Sequence, residues 1–227
     1  YYESRGEDWE RQMLIKLNFT AGSRKLFDKF QDYIEHYVYP ASFSSSPLVQ
    51  IRRIKEQIEK NLKKESNIKL SRGGIRDIEF SVQALQLING GKLKELREVN
   101  SLRAIQKLKS YKLLSAEEAD VLRDTYLFYR KIEHYLQLMN DTQTHEIPEN
   151  PETERKLSRY LGFNSKEEFE EKLSDKKDRV KVIYQSIVNV DSDDQSDDED
   201  FNKIVFHNSN RAAKNLQFLR NGSGLLE

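Results

Sequence analysis

Apolar residues recur along this chain at intervals of three and four, the spacing that lines one face of an α-helix, and no stretch alternates as a strand would. After Ser23, an N-cap, Leu26, Phe27, Phe30, Tyr33, Ile34, Tyr37 and Val38 fall at helical spacing and predict a core-facing helix that ends at Pro40 and the Ser-rich turn 42–46. Ahead of it, Asp8 as N-cap and the stripe Trp9, Met13, Leu17 predict a helix to about Phe19, stopping near Gly22. From Pro47 to about Glu65, Ile51, Ile54, Ile58 and Leu62 make a narrow seam, flanked by Arg52, Arg53, Lys55, Lys60, Lys63 and Lys64 as a basic outer face. Ile75 to Asn89 is a further helix, closed by Gly90-Gly91. Asn100 caps one running to about Lys109, and the capping box Ser115-Ala-Glu-Glu118 opens the longest, 116–140. Asn150-Pro151 starts a helix ending at Gly162, and Ser165-Lys-Glu-Glu168 starts the last, reaching Val188. There is no internal repeat. The pattern predicts an all-α bundle of about seven to eight helices.

Composition agrees: the 227 residues include nine Gly, four Pro and 33% charged residues, and no proline lies between Pro47 and Pro148. The absence of cysteine excludes a thiolate nucleophile, a Cys-zinc site and a disulfide framework, and points to a reducing, cytoplasmic environment. No apolar run approaches the roughly 18 residues of a membrane span, and Glu3, Arg5, Glu7 and Asp8 are unlike a signal peptide, so a soluble chain without a membrane partner is expected. The net charge of zero hides an asymmetry. Residues 51–112 hold 16 Lys/Arg against 7 Asp/Glu, and residues 113–200 hold 12 against 23. Overall neutrality argues against nucleic-acid binding, while the basic block suits either an anionic ligand or acidic partner, or simply solvated helix faces. The acid run DSDDQSDDED at 191–200 reads as a linker. It divides a helical domain, 1–190, from a tail, 201–227, whose Leu216, Phe218 and Leu219 predict fraying or docking onto the bundle.

The stretch with the most chemical information is KLSRGGIRDIEFSVQALQLINGG, residues 69–91. Paired glycines at a helix mouth, with Lys69, Arg72 and Arg76 close by, would let backbone N–H groups of Gly73 and Gly74 and the positive helix end receive a phosphate. The competing reading is that Gly73-Gly74 only turns the chain between packed helices. On a helical wheel, Arg76, Glu79, Gln83 and Gln86 lie between two apolar stripes, and Arg130, Glu133, Gln137 and Asn140 repeat the pattern on the longest helix. A buried charge needs a partner, so the two stripes are expected to face each other, Arg76 beside Glu133 and Arg130 beside Glu79. His36, His134, His145 and His207 show no metal spacing, and Tyr37, Tyr39, Tyr126, Tyr129 and Tyr135 read as core or boundary residues. There is no Walker A, H-E-x-x-H, G-x-S-x-G or Rossmann motif, and the Asp pairs within 191–200 are assigned no role.

Four segments in order resemble the bifunctional glutamine synthetase adenylyltransferase/adenylyl-removing enzyme family: YYESRGEDWERQMLIK (1–16), the helix of 48–60, IKLSRGGIRDIEFSVQALQLINGG (68–91) and LRDTYLFYRKIEHYLQLMNDTQTHEIP (122–148). GGIRDIEF is the most diagnostic of them, and QLINGG with NDTQTHEIP resembles the N-terminal, adenylyl-removing half. The resemblance implies a nucleotidyltransferase in which a helical domain follows a small α/β catalytic domain. The metal-binding carboxylates of that core are expected outside this chain, leaving no catalytic residue and no metal ligand within it. It implies transfer of AMP from ATP to a tyrosine of glutamine synthetase and its removal by phosphorolysis, with Mg2+, under a PII signalling protein and glutamine. It also implies that residues 1–190 position nucleotide or substrate from the side, with Lys69, Arg72 and Arg76 facing phosphate and Arg11 and Lys16 secondary. The alternative is a non-catalytic module docking glutamine synthetase, the PII protein or the remaining domains of the parent enzyme through the basic block.

Overall fold

A computed structural model describes residues 1–40, 42–43, 46–62, 66–140 and 144–189. The acid run 191–200 and the tail 201–227 lie outside the described residues, as do Lys63, Lys64 and His207. The chain forms α1 (Tyr2–Arg5), α2 (Asp8–Leu14), α3 (Arg24–Val38), α4 (Pro47–Lys60), α5 (Ile75–Gly90), α6 (Ser101–Ser110), α7 (Ala116–Asn140), α8 (Pro151–Tyr160) and α9 (Lys166–Val188). A 3-10 turn at Lys94–Leu96 and an isolated antiparallel bridge between Asn67 and Glu146 complete the described secondary structure, so the fold is all-α.

The helix starts follow their caps. Ser23 Oγ accepts from the Leu26 N–H, Asn100 from Arg103, Asn150 from Glu152 and Thr153, and Ser165 from Glu168, each satisfying N–H groups that the helix leaves unpaired. Ser115 and Glu118 exchange bonds of 2.9 and 3.2 Å in the expected capping box. At α2 the cap is Glu7 rather than Asp8, because Glu10 reaches back to the Glu7 N–H at 2.8 Å. That helix also ends five residues short of Phe19, and its Trp9 and Met13 stripe is 54% and 53% exposed; the buried side is Glu10, Gln12 and Leu14. In α3 only Ile34 and Val38 are buried, while Leu26, Phe30 and Tyr33 remain exposed, because this edge helix packs mainly on α1 and α2.

Helix α5 is the centre of the bundle. It packs along α9 and against α4, α6, α7 and the 3-10 turn, and it buries residues on every side, Ile75, Ile78, Phe80, Val82, Leu85 and Leu87 among them. Because it is surrounded, its polar residues need internal partners. Gln86 Nε2 donates to the carbonyls of Leu96 and Glu98 at 2.6 and 2.8 Å, which ties the 93–98 loop to the core, and Asn89 Nδ2 donates to the Leu85 carbonyl of its own helix at 2.8 Å. Tyr129 is fully buried, and Tyr37, Tyr39, Tyr126 and Tyr135 pack at the core boundary. Among the described residues no helix is long and apolar enough to cross a membrane.

Candidate functional site

The turn that opens α5 is closed upon itself. Asn67 Oδ1 accepts from the N–H groups of Lys69 and Leu70, at 3.0 and 2.9 Å, and starts the turn. The N–H groups of Gly74, Ile75 and Arg76 then donate to the carbonyls of Ser71, Ile68 and Lys69, at 2.9, 3.0 and 3.0 Å. The Gly73 N–H donates to Asp77 Oδ2 at 2.7 Å, so a carboxylate of the helix itself stands where a phosphate was expected. Gly73 has φ +74°, and a Cβ there would lie 2.1 Å from the Lys177 carbonyl oxygen; at Gly74 it would lie 2.6 Å from that of Ile68. The two glycines let α9 and the preceding loop approach the backbone, and every N–H from 73 to 76 has a protein acceptor.

Behind the turn lies a buried ion pair whose lysine was grouped with the basic outer face of α4. Lys55 and Asp77 pair at 3% and 2% exposure, so Lys55 points inward rather than belonging to the basic outer face of α4. Its place four residues after Ile51 and three before Ile58 puts it within the apolar seam. Burial pushes the Asp77 carboxyl up, and Lys55 and the Gly73 N–H oppose that shift. Lys55 also lies 3.4 Å from Glu59, which takes Arg72 at 3.2 Å, leaving the Arg72 side chain at the surface.

The two polar stripes do not meet. Glu133 is held by Arg130 of its own helix and by His145 Nδ1 at 2.9 Å, whereas Arg76 lies over the Phe80 ring, 5.4 Å from its centroid, and makes no ion pair with Glu133. The physical reason is that Arg76, Glu79 and Gln83 face α2 and α4, where Gln83 meets Gln12, while α7 meets the start of α5 through the Tyr129 hydroxyl, bonded to the Gly73 carbonyl at 2.9 Å. Arg130 therefore turns to Glu133 and His134 instead of Glu79. Gln137 is half-buried, and the Asn140 side chain lies outside the described residues. His145 belongs to a loop tied to the start of the turn, with the Ile68 N–H donating to the His145 carbonyl at 2.9 Å and Ile147 to Ser66 at 3.1 Å. Burial, then the nearby charge of Lys69, pushes the His145 imidazole down, against the pull of Glu133. Lys69 follows Ile68 in this tied segment.

What the structure does bring together is a cleft of ≈ 440 Å³ between α2, α4 and α5. Helix α5 contributes Arg76, Glu79, Phe80 and Gln83, α4 contributes Ile54 and Ile58, and α2 with the turn after it contributes Trp9, Gln12, Met13 and Lys16. Gln12 Nε2 donates to Gln83 Oε1 at 2.8 Å, both side chains being buried. Lys16 Nζ donates to the Val99 carbonyl and to Ser101 Oγ, at 2.9 and 3.0 Å, and burial holds its pKa below the usual lysine value, against Glu79 and Glu98. The Arg76 Nε is buried without a hydrogen-bond partner among the described residues. Of the candidate residues, Lys16, Arg76, Glu79 and Gln83 therefore share one cleft. Arg11 stands apart from it, against the Tyr37 and Phe43 rings, with its Nε donating to the Tyr37 carbonyl at 3.1 Å. Sequence reasoning missed Gln12, although its spacing of three and four from Trp9 and Lys16 places all three on one side of a helix.

A larger groove of ≈ 770 Å³ between α7 and α9, lined by Glu117, Glu118 and Asp178, lies apart from all of these residues. Among the described residues no group of three or more His, Asp or Glu side chains is placed to hold a metal ion.

Comparison with known proteins adds the family. The family described as GlnD PII-uridylyltransferase matches residues 48–188. A bifunctional glutamine synthetase adenylyltransferase/adenylyl-removing enzyme of Methylococcus capsulatus is 35% identical over 191 residues, covering 83% of this chain and 20% of that protein. Proteins of the same description from Agrobacterium fabrum and Hahella chejuensis are 35% and 36% identical, over 77% and 72% of this chain and 18% and 17% of their own lengths. The chain spans about a fifth of the length of these relatives.

Proposed function

The chain belongs to the GlnD PII-uridylyltransferase family and is related over most of its length to bifunctional glutamine synthetase adenylyltransferase/adenylyl-removing enzymes, and on that premise we propose that it is a helical unit of such a nucleotidyltransferase. In this reading the parent protein adds AMP to a tyrosine of glutamine synthetase and removes it, regulating nitrogen assimilation, and the chain corresponds to the helical part of the N-terminal, adenylyl-removing half. The observation that carries the reading is the continuous relationship to named adenylyltransferases over 83% of the chain. The cleft supports it. Lys16 from the α2 side and Arg76 from α5 both line it, beside Glu79, and Arg76 keeps a buried donor for which no described residue supplies an acceptor, as suits a phosphate-bearing group.

The parent reaction calls for ATP and Mg2+. None of the roles assigned to this chain's side chains passes through the ion. The chain contributes walls and cations that orient a nucleotide or the modified tyrosine from the side. Glutamine synthetase, a PII protein and other domains of the parent are the proposed partners. Docking through the basic block alone is the weaker reading. Much of that block is already paired: Arg52 with Glu56, Arg72 with Glu59, Arg103 and Lys107 with Glu98, and Lys109 with Asp120.

The test is a chimera in which residues 1–189 replace the matching stretch of the Methylococcus capsulatus relative. The chimera is expected to change the adenylylation state of glutamine synthetase. A folded chimera that leaves it unchanged overturns the reading.

A further inference from the structure

The groove of ≈ 770 Å³ between α7 and α9 joins apolar surface to negative charge. Along α9, Asp178, Val182, Gln185 and Asn189 recur at intervals of four, three and four, so they share one face of the helix, and all four are exposed. Val182 is 64% exposed in the middle of that face, with Val121 of α7 and Ile183 also in the lining. The lining carries the carboxylates of Glu117, Glu118 and Asp178 against one guanidinium, that of Arg179, a net of −2. Arg179 already pairs with Glu117 at 3.4 Å. A matching occupant is a segment with a short apolar stripe and an excess of basic residues.

The sequence supplies such a segment from the groove's own end. Asn189 closes the lining along α9, and the chain continues from it into 190–227. The acid run 191–200, with seven acids in ten residues, is repelled by this lining. Residues 201–227 are its opposite: Lys203, Arg211, Lys214 and Arg220 stand against Glu227. Ala212, Leu216 and Leu219 recur there at intervals of four and three, a narrow apolar stripe with Arg211 and Arg220 to either side on a helical wheel. The lengths agree. From Asp178 to Asn189 the groove follows about 16 Å of helix. The eleven residues 190–200 reach up to about 36 Å when extended, enough to bring the basic segment back over all of it.

We propose that the groove between α7 and α9 is the docking site of this chain's own segment 201–227, with Leu216 and Leu219 on Val182 and the basic residues on Glu117 and Asp178. The acid run is then the tether, held off the groove by its charge. The proposal stands apart from the nucleotidyltransferase reading and from the α2–α5 cleft, and gives the groove an internal partner.

The chain has no cysteine, so a pair of introduced cysteines reports the contact directly. In the full chain, Val182→Cys with Leu216→Cys is compared with Leu127→Cys with Leu216→Cys, Leu127 being an exposed residue of α7 outside the groove. Oxidised glutathione is added at low protein concentration, and disulfide closure is followed on non-reducing gels. The groove pair is expected to close within one chain at least about tenfold faster than the control pair, because docking raises the local concentration above that of a loose tether. Glu117→Lys with Asp178→Lys, added to the groove pair, slows closure by about fivefold or more, as does about 0.5 M salt. Gln185→Cys replaces Val182→Cys should circular dichroism show the first variant unfolded. Equal rates for the groove and control pairs overturn the proposal, and so does closure indifferent to the charge reversal. Disulfides formed between chains and not within one give the groove to a second copy and overturn docking by the chain's own segment.

Discussion

The Tyr129 hydroxyl donates to the Gly73 carbonyl at 2.9 Å, joining the middle of α7 to the glycine turn 56 residues earlier, with both groups buried. This bond, with the approach of α9 to Gly73, makes the GGIRDIEF segment a packing joint. Gly73→Ala puts a Cβ 2.1 Å from the Lys177 carbonyl oxygen at a left-handed backbone position, and a loss of about 3–5 kcal/mol is expected from clash and strain together. Tyr129→Phe, which leaves the Gly73 carbonyl unpaired, costs about 1–3 kcal/mol. Urea unfolding followed by circular dichroism measures both, and Gly73→Ala within about 1 kcal/mol of the parent would contradict this account.

Removing one partner of the Lys55–Asp77 pair leaves a buried charge. Lys55→Met and Asp77→Asn are each expected to cost about 3–5 kcal/mol. The double variant should cost less than the two losses added, because no lone charge remains. Additive losses in a double-mutant cycle would show that the two groups act independently.

Acid sensitivity should centre on Glu98. Burial alone would raise its pKa, but the Asn100 N–H, Arg103 and Lys107 hold it down to about 2, well below the ordinary 4.5. A carboxylate with a depressed folded pKa contributes stability that is fully present above the unfolded value and lost as pH falls from about 4.5 through about 2. Glu98→Gln removes that part of the slope, on the order of 1–2 kcal/mol after allowance for screening. Equal stability curves for parent and variant between about pH 5 and pH 2 would refute it.

His145 should titrate below its ordinary value of 6.5, because burial and then Lys69 disfavour the cation. Its contribution to stability is therefore present in the neutral form above that value and declines as pH falls through it. Glu133→Gln removes the group that opposes the shift and lowers the pKa again. Imidazole chemical shifts followed across pH check both statements, and a His145 pKa above 6.5 in the parent would contradict them.

Most of the helices were legible because their apolar spacing and their caps agreed. Ser23, Asn100, Ser115, Asn150 and Ser165 each mark a start that side-chain bonds confirm. Short α1 and the early end of α2 carried no comparable signal. The candidate site was half legible. Arg76, Glu79 and Gln83 share a stripe that any helical wheel shows, but which neighbour that stripe meets depends on long-range packing, and it meets α2 and α4 rather than Glu133, with which spacing alone paired it. Periodicity likewise places Lys55 within a seam without revealing that Asp77, 22 residues on, supplies its counter-charge. The glycine pair was ambiguous for a different reason. A turn that binds phosphate and one that packs under a helix need the same residue, and only the acceptors of its N–H groups tell them apart.

The central claim is that this helical unit serves adenylyl transfer through the α2–α5 cleft rather than through the glycine turn. It is tested most directly by the rate at which the Methylococcus capsulatus chimera deadenylylates glutamine synthetase, carrying either Arg76→Ala or Arg72→Ala. Arg76→Ala is expected to lower the rate by about tenfold or more, and Arg72→Ala, whose side chain is exposed and held by Glu59, by less than about twofold. A large loss with Arg72→Ala and none with Arg76→Ala would return the function to the turn and contradict the account.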